Sequence, residues 1–76
     1  MPTLDQLNPG EKGTVTAILG SGTQHQRLRE MGIMEGSPIE VIRLAPFGDP
    51  VEISIQGYNL SLRKREAALI GIEKNG

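Results

Sequence analysis

The sequence predicts a small all-β barrel of about five strands carrying one short α-helix. Three observations lead to that reading. Ten glycines and five prolines in 76 residues give far more turn punctuation than a helical domain carries. Apolar residues recur with period two in several short segments rich in threonine, valine and isoleucine, the pattern of half-buried strands. A chain of 76 residues is one domain, so those strands must bury a shared apolar face. Curling into a barrel does this while removing exposed strand edges. The single domain is expected to run over 1–76, with its core from about residue 4 to residue 72 and the polar tail 73–76 frayed.

The elements follow in order. Thr3 with Gln6 has capping-box spacing, and Leu4 and Leu7 share one face of a single turn that Asn8-Pro9-Gly10 stops. From Gly13, Val15, Ala17 and Leu19 alternate with Thr14, Thr16 and Ile18, which predicts a first strand with the former set inward. Gly20-Ser21-Gly22 breaks it. Thr23–Met31 is the helix, with Thr23 as N-cap and Gln26 three residues on. Gly32 supplies the left-handed position after it, and Ile33 folds back on Leu28. Its apolar face is only Leu28 and Met31, enough to cover the barrel's edge or mouth but not to form a core.

Ile39–Leu44 and Val51–Ile55 read as strands flanking the turn residues Ala45–Pro50. Val51, Ile53 and Ile55, alternating with Glu52 and Ser54, give the clearest inward face. A turn at Gly57-Tyr58-Asn59 leads to Leu60 and Leu62, then to one helical turn over Arg63–Ala67 and a last strand over Ala68–Ile72. Gly10-x-x-Gly13-x-Val15 is faintly echoed by Gly36-x-x-Ile39-x-Val41, too faintly to define a repeat.

The chemistry is sparse. Eight basic and nine acidic residues leave a net charge of −1, which argues against a coat for nucleic acid or anionic lipid. No cysteine is present, so neither disulfides nor thiolate metal sites arise. His25 is the sole histidine and the one candidate metal ligand. On a helix its chelating partners would be Ser21, Gly22, Leu28 and Arg29, none a carboxylate or imidazole. A solvated surface histidine is the preferred reading, with adventitious metal at a contact between two copies as the exception.

Gly20-Ser21-Gly22-Thr23 lacks the later glycine and Lys-Ser/Thr of a phosphate loop and reads as a turn with a helix cap. No serine elbow, cysteine or second histidine supports nucleophilic catalysis. No enzyme activity and no cofactor are expected. Nor does any run of residues resemble a secretory signal or membrane span, so the expected location is the cytoplasm. Arg63-Lys64-Arg65, diluted by Glu66 and with only Phe47 and Tyr58 able to stack bases, suits a solvated surface or a patch for an acidic protein partner better than single-stranded nucleic acid.

An ordered set of motifs resembles the FeoA family of ferrous iron transport accessory proteins. It consists of Gly10…Gly13-x-Val15, Arg27-Leu28-x-x-Met31-Gly32-Ile33-x-x-Gly36, Ala45-Pro46-x-Gly48-Asp49-Pro50 and Leu62-Arg63-x-x-Glu66-Ala67. The likeness covers about Leu4 to Ile72. It implies an SH3-like barrel acting in bacterial ferrous iron uptake, with the cytosolic region of the permease and GTPase FeoB as partner. It also implies recruitment to the inner face of the membrane by that partner, without direct insertion. Weak homo-oligomerisation stays open. The alternative is a transition-metal-binding or sensing domain related to the SH3-like C-terminal domain of iron-dependent repressors, and a nucleic-acid-binding barrel ranks third.

Met31 and Met34 at the helix end, with Phe47 and Tyr58 in turns, are apolar residues beyond what closure of the barrel needs. With Arg27, Leu28 and Arg29 they form the expected partner-binding set. They are expected to cluster into one docking surface built from Thr23–Met34 and the Pro46–Pro50 loop.

Overall fold

Val51, Ile53 and Ile55, the clearest alternation in the sequence, all lie in the core of the computed structural model, which describes residues 2–75. They belong to β3 (Val51–Ile55), one of five strands with β1 (Lys12–Ile18), β2 (Pro38–Leu44), β4 (Tyr58–Leu62) and β5 (Ile70–Lys74). Helix α1 (Thr23–Glu30) joins β1 to β2, the single turn α2 (Lys64–Ala67) joins β4 to β5, and a 3-10 turn over Leu4–Gln6 precedes β1. The strands form one antiparallel sheet in the order β4-β3-β2-β1-β5. One face is filled by Val15, Ile39, Val41, Ile53, Leu62 and Ile72, and Leu4 and Leu28 close over it.

Two bulges give the sheet its curvature. The β1–β5 register shifts between Val15 and Ala17, and the β2–β3 register shifts between Val41 and Arg43. An extra residue in one strand reverses the inside–outside phase beyond it. The first bulge therefore corrects the sequence reading of β1. Val15 is buried as expected, but Ile18 rather than Leu19 continues the core, Leu19 is exposed and Ala17 is half-buried. Beyond the second bulge Leu44 comes opposite the buried Val51, but at the end of its strand it stays exposed.

The faint echo between the glycine turns has a structural counterpart. Gly10 N–H donates to the Val41 carbonyl at 2.8 Å, and Val41 N–H donates to Glu11 at 3.1 Å. The related pair repeats this: Gly36 N–H donates to Val15 at 2.7 Å, and Val15 N–H to Ser37 at 2.9 Å. Gly13 lies opposite Ile39, so β1 and β2 are related by a local two-fold through that pair. The bulge residues Thr16 and Ile42 obey the same relation.

The helix ends as its sequence predicts and begins differently. Ile33 N–H donates to Leu28 at 3.1 Å and Gly32 N–H to Arg29 at 3.0 Å, the paired bonds of a Schellman ending with Gly32 at φ +95. At the start, Gly22 and not Thr23 is the N-cap. The Gln26 side chain reaches forward to Glu30 at 3.4 Å instead of back to a cap. The turn between β3 and β4 is Gln56-Gly57, both at positive φ, as a two-residue hairpin of type I′ requires. Tyr58 therefore starts a strand instead of lying in the turn.

The last strand also corrects the sequence reading. It is Ile70–Lys74 rather than Ala68–Ile72, because α2 and the turn after it take up Ala68 and Leu69. Glu73 and Lys74, expected to fray, pair with Thr14 and Gly13, and Asn75 N–H donates to Lys12 at 2.9 Å. Gly76 lies outside the described residues.

Lys74 also pairs with Glu11. That ammonium, then the backbone N–H of Asn8, holds the Glu11 carboxyl below the usual carboxylate range. A depressed folded-state pKa stabilises the fold above the unfolded value and loses that contribution as pH falls through the folded one. Glu11→Gln should therefore show a lower urea midpoint than the parent at pH 6. The gap should narrow as the pH falls through the carboxylate range; a gap unchanged in acid would assign the effect to packing.

Candidate functional site

The seven expected partner-binding residues fall into two groups joined by α2. The first gathers at the end of α1. Leu28 is buried, Met31 packs partly against the core, and Met34 beyond it is 55% exposed. Tyr58 joins this group: its hydroxyl donates to the Met31 carbonyl at 3.0 Å, meeting a carbonyl freed at the helix end. At 43% exposure it is both a strut and a surface group. Leu28 is core and meets the surface only as part of the floor of a cleft between the helices.

Phe47 stands apart. It is 97% exposed, at the tip of a loop closed by Gly48 N–H to Ala45 at 2.7 Å and Ala45 N–H to Pro50 at 3.0 Å. The register sets Val51 opposite Leu62 and Ile55 opposite Tyr58. The Phe47 loop and the Tyr58–Met31 contact therefore lie at opposite ends of the β3–β4 hairpin, about 13 Å apart along β3. The expected single cluster is resolved into two.

Helix α2, which the sequence offered as a solvated surface or a patch for an acidic partner, is the bridge. The Asp49 Oδ1 atom accepts Lys64 N–H at 2.9 Å, tying the Phe47 loop to the start of α2. Glu66 Oε1 accepts Arg63 N–H at 2.9 Å, and its other oxygen lies 3.4 Å from Arg27 Nε on α1. Between the helices is a cleft of about 180 Å³ lined by Gln24, Arg27, Leu28, Arg65, Glu66 and Leu69. Gln24, Arg65, Glu66 and Leu69 were absent from the expected set. Their signal was the Arg63-x-x-Glu66 cap spacing, which announces a helix turn and hence a face.

His25 is half-buried, and its Nε2 accepts a hydrogen bond from Arg29 Nε at 3.1 Å. Arg29 thus occupies one of the two ring nitrogens through which a metal could bind. Arg29 also lies 3.8 Å from Glu35. Among the described residues, no three His, Asp or Glu side chains are grouped to hold a metal ion. No helix there is long and apolar enough to cross a membrane.

Known proteins resemble this chain in sequence and in overall fold. A fusion protein of Fe(2+) transport protein A and the Fe(2+) transporter FeoB from Porphyromonas gingivalis (strain ATCC BAA-308 / W83) is 39% identical over 70 residues. The match takes in 92% of this chain and 8% of the relative, so the chain spans under a tenth of the curated relative's length. The solution structure of iron(II) transport protein A from Clostridium thermocellum is 40% identical, with a TM-score of 0.91 over 96% of this chain and 45% of that one. The zinc complex of FeoA from Stenotrophomonas maltophilia, described as a prokaryotic SH3 domain protein, superposes with a TM-score of 0.84. The match takes in 96% of this chain and 91% of that one, and at 22% identity it speaks to the SH3-like fold alone. The FeoA domain family model matches residues 3–74, and the chain belongs to that family.

Proposed function

We propose that this chain is a non-enzymatic accessory protein of bacterial ferrous iron uptake that docks on the cytosolic region of the FeoB permease. The observation that carries the reading is the Porphyromonas gingivalis relative, whose name joins transport protein A and FeoB in one chain. Domains fused in one polypeptide act at a common place, where a binding surface between them works at high effective concentration.

The chemistry of this surface supports the reading. The chain has no cysteine, and its sole histidine is engaged by Arg29, so the side chains offer contact rather than catalysis. Phe47 and Met34 expose the apolar area typical of contact anchors, and Arg27 and Arg29 provide a charged rim. The net charge of −1 disfavours nucleic acid.

Titration calorimetry against the purified cytosolic domain of FeoB, with and without guanine nucleotide, tests this. The parent should bind in at least one nucleotide state. Phe47→Ala and Met34→Ala should each weaken binding by about 1–3 kcal/mol with unchanged circular dichroism. No binding in either state overturns the reading.

A further inference from the structure

We propose that the cleft between α1 and α2 receives one large apolar side chain of a partner protein together with an adjacent carboxylate, so that the recognised element is an acidic–apolar segment. The proposal rests on the docking reading above and adds to it a place and a ligand chemistry.

Size comes first. At about 180 Å³ the cleft is smaller than the roughly 300–1,000 Å³ of small-molecule and cofactor sites. It is slightly larger than a cavity of about 150 Å³ that holds a benzene-sized guest. One leucine or phenylalanine side chain matches it. The floor is apolar for the same reason: Leu28 is buried beneath it, and Leu69 is packed on the core beside it. Gly20 backs the wall, since a Cβ there would sit 3.4 Å from Leu69.

Charge decides the rest. Arg27 and Arg65 flank the opening and Glu66 is the one carboxylate on it. The Arg27 side chain is 68% exposed and Glu66 15%. Glu66 is already committed to Arg27 and to the Arg63 N–H. Arg65 makes no ion pair among the described residues. In a chain of net charge −1, this rim is locally cationic, and the guanidinium of Arg65 suits a carboxylate in bidentate geometry. The tie from Asp49 to Lys64 makes the cleft continuous with the Phe47 loop, so one partner can cover both.

The test titrates the parent and three variants into the cytosolic domain of FeoB, with phosphatidylglycerol vesicles as a second probe. Arg65→Glu removes the free rim charge, and Gln24→Trp plugs the cleft from an exposed position. Lys12→Glu makes the same charge change on exposed β1. Both cleft variants should lose roughly tenfold or more in affinity with unchanged melting curves, and Lys12→Glu should stay within about twofold. Cleft variants that bind like the parent overturn this proposal and leave the docking reading standing. A parent that does not bind the domain overturns both. Arg65-dependent binding to vesicles, without binding to the domain, assigns the cleft to lipid and overturns the proposal.

Discussion

Ile53→Ala lowers the free energy of unfolding by about 2–5 kcal/mol, as large an effect as any single aliphatic truncation in this core should have. Ile53 has no exposed surface and lies mid-strand between Val41 on β2 and Leu60 on β4. Neither neighbour can move into the gap without breaking its own ladder, so the cavity stays open. A domain of this size carries about 4–11 kcal/mol of stability, and the variant should be partly unfolded at physiological temperature. Urea denaturation measures the loss. Ile42→Ala, one residue from Val41 but on the outer face, is the companion and should cost under about 1 kcal/mol. Equal stabilities for the Ile53 variant and the parent would mean that the inward face of β3 is misassigned.

Gly32→Ala is the second large effect, at about 2–3 kcal/mol. Two costs coincide. The residue sits at φ +95, where a Cβ crowds the backbone. An added Cβ would also stand 1.9 Å from the Tyr58 hydroxyl and expel it from the Met31 carbonyl. A double-mutant cycle separates the costs. Tyr58→Phe alone should cost about 0.5–1.5 kcal/mol for the lost hydrogen bond. The double variant should be more stable than the sum of the two changes predicts, because the collision is gone and only the backbone cost remains. Strict additivity would show that the hydroxyl does not press on this glycine.

These two sites mark the limits of what could be read in the sequence. Ile53 was legible because a period-two pattern needs no knowledge of neighbours. Gly32 was legible as a helix ending, yet its contact with Tyr58 was not, because that contact joins residues 26 positions apart and depends on where the hairpin turns. The phase of β1 was misread for a similar reason. A bulge is a relation between two strands, and nothing in Val15-Thr16-Ala17 distinguishes it from regular alternation. Among the candidate contact residues, Phe47 and Met34 were found by their oddity: large apolar groups in turn-forming sequence. Arg65 and Leu69 were passed over because a charge run gives no sign of the cleft it borders until α1 is laid beside it.

The two-fold relation between β1 and β2 bears on how such a domain tolerates divergence. Its reciprocal bonds run from main chain to main chain, and side chains take no direct part in them. Only the turn glycines and the inward valines leave a trace in the residues, which is why the echo reads so faintly. Mutation can therefore erode the likeness between the two segments almost to nothing while their geometry persists. The internal symmetry of this small barrel is held in its backbone, where comparison of amino acids does not look.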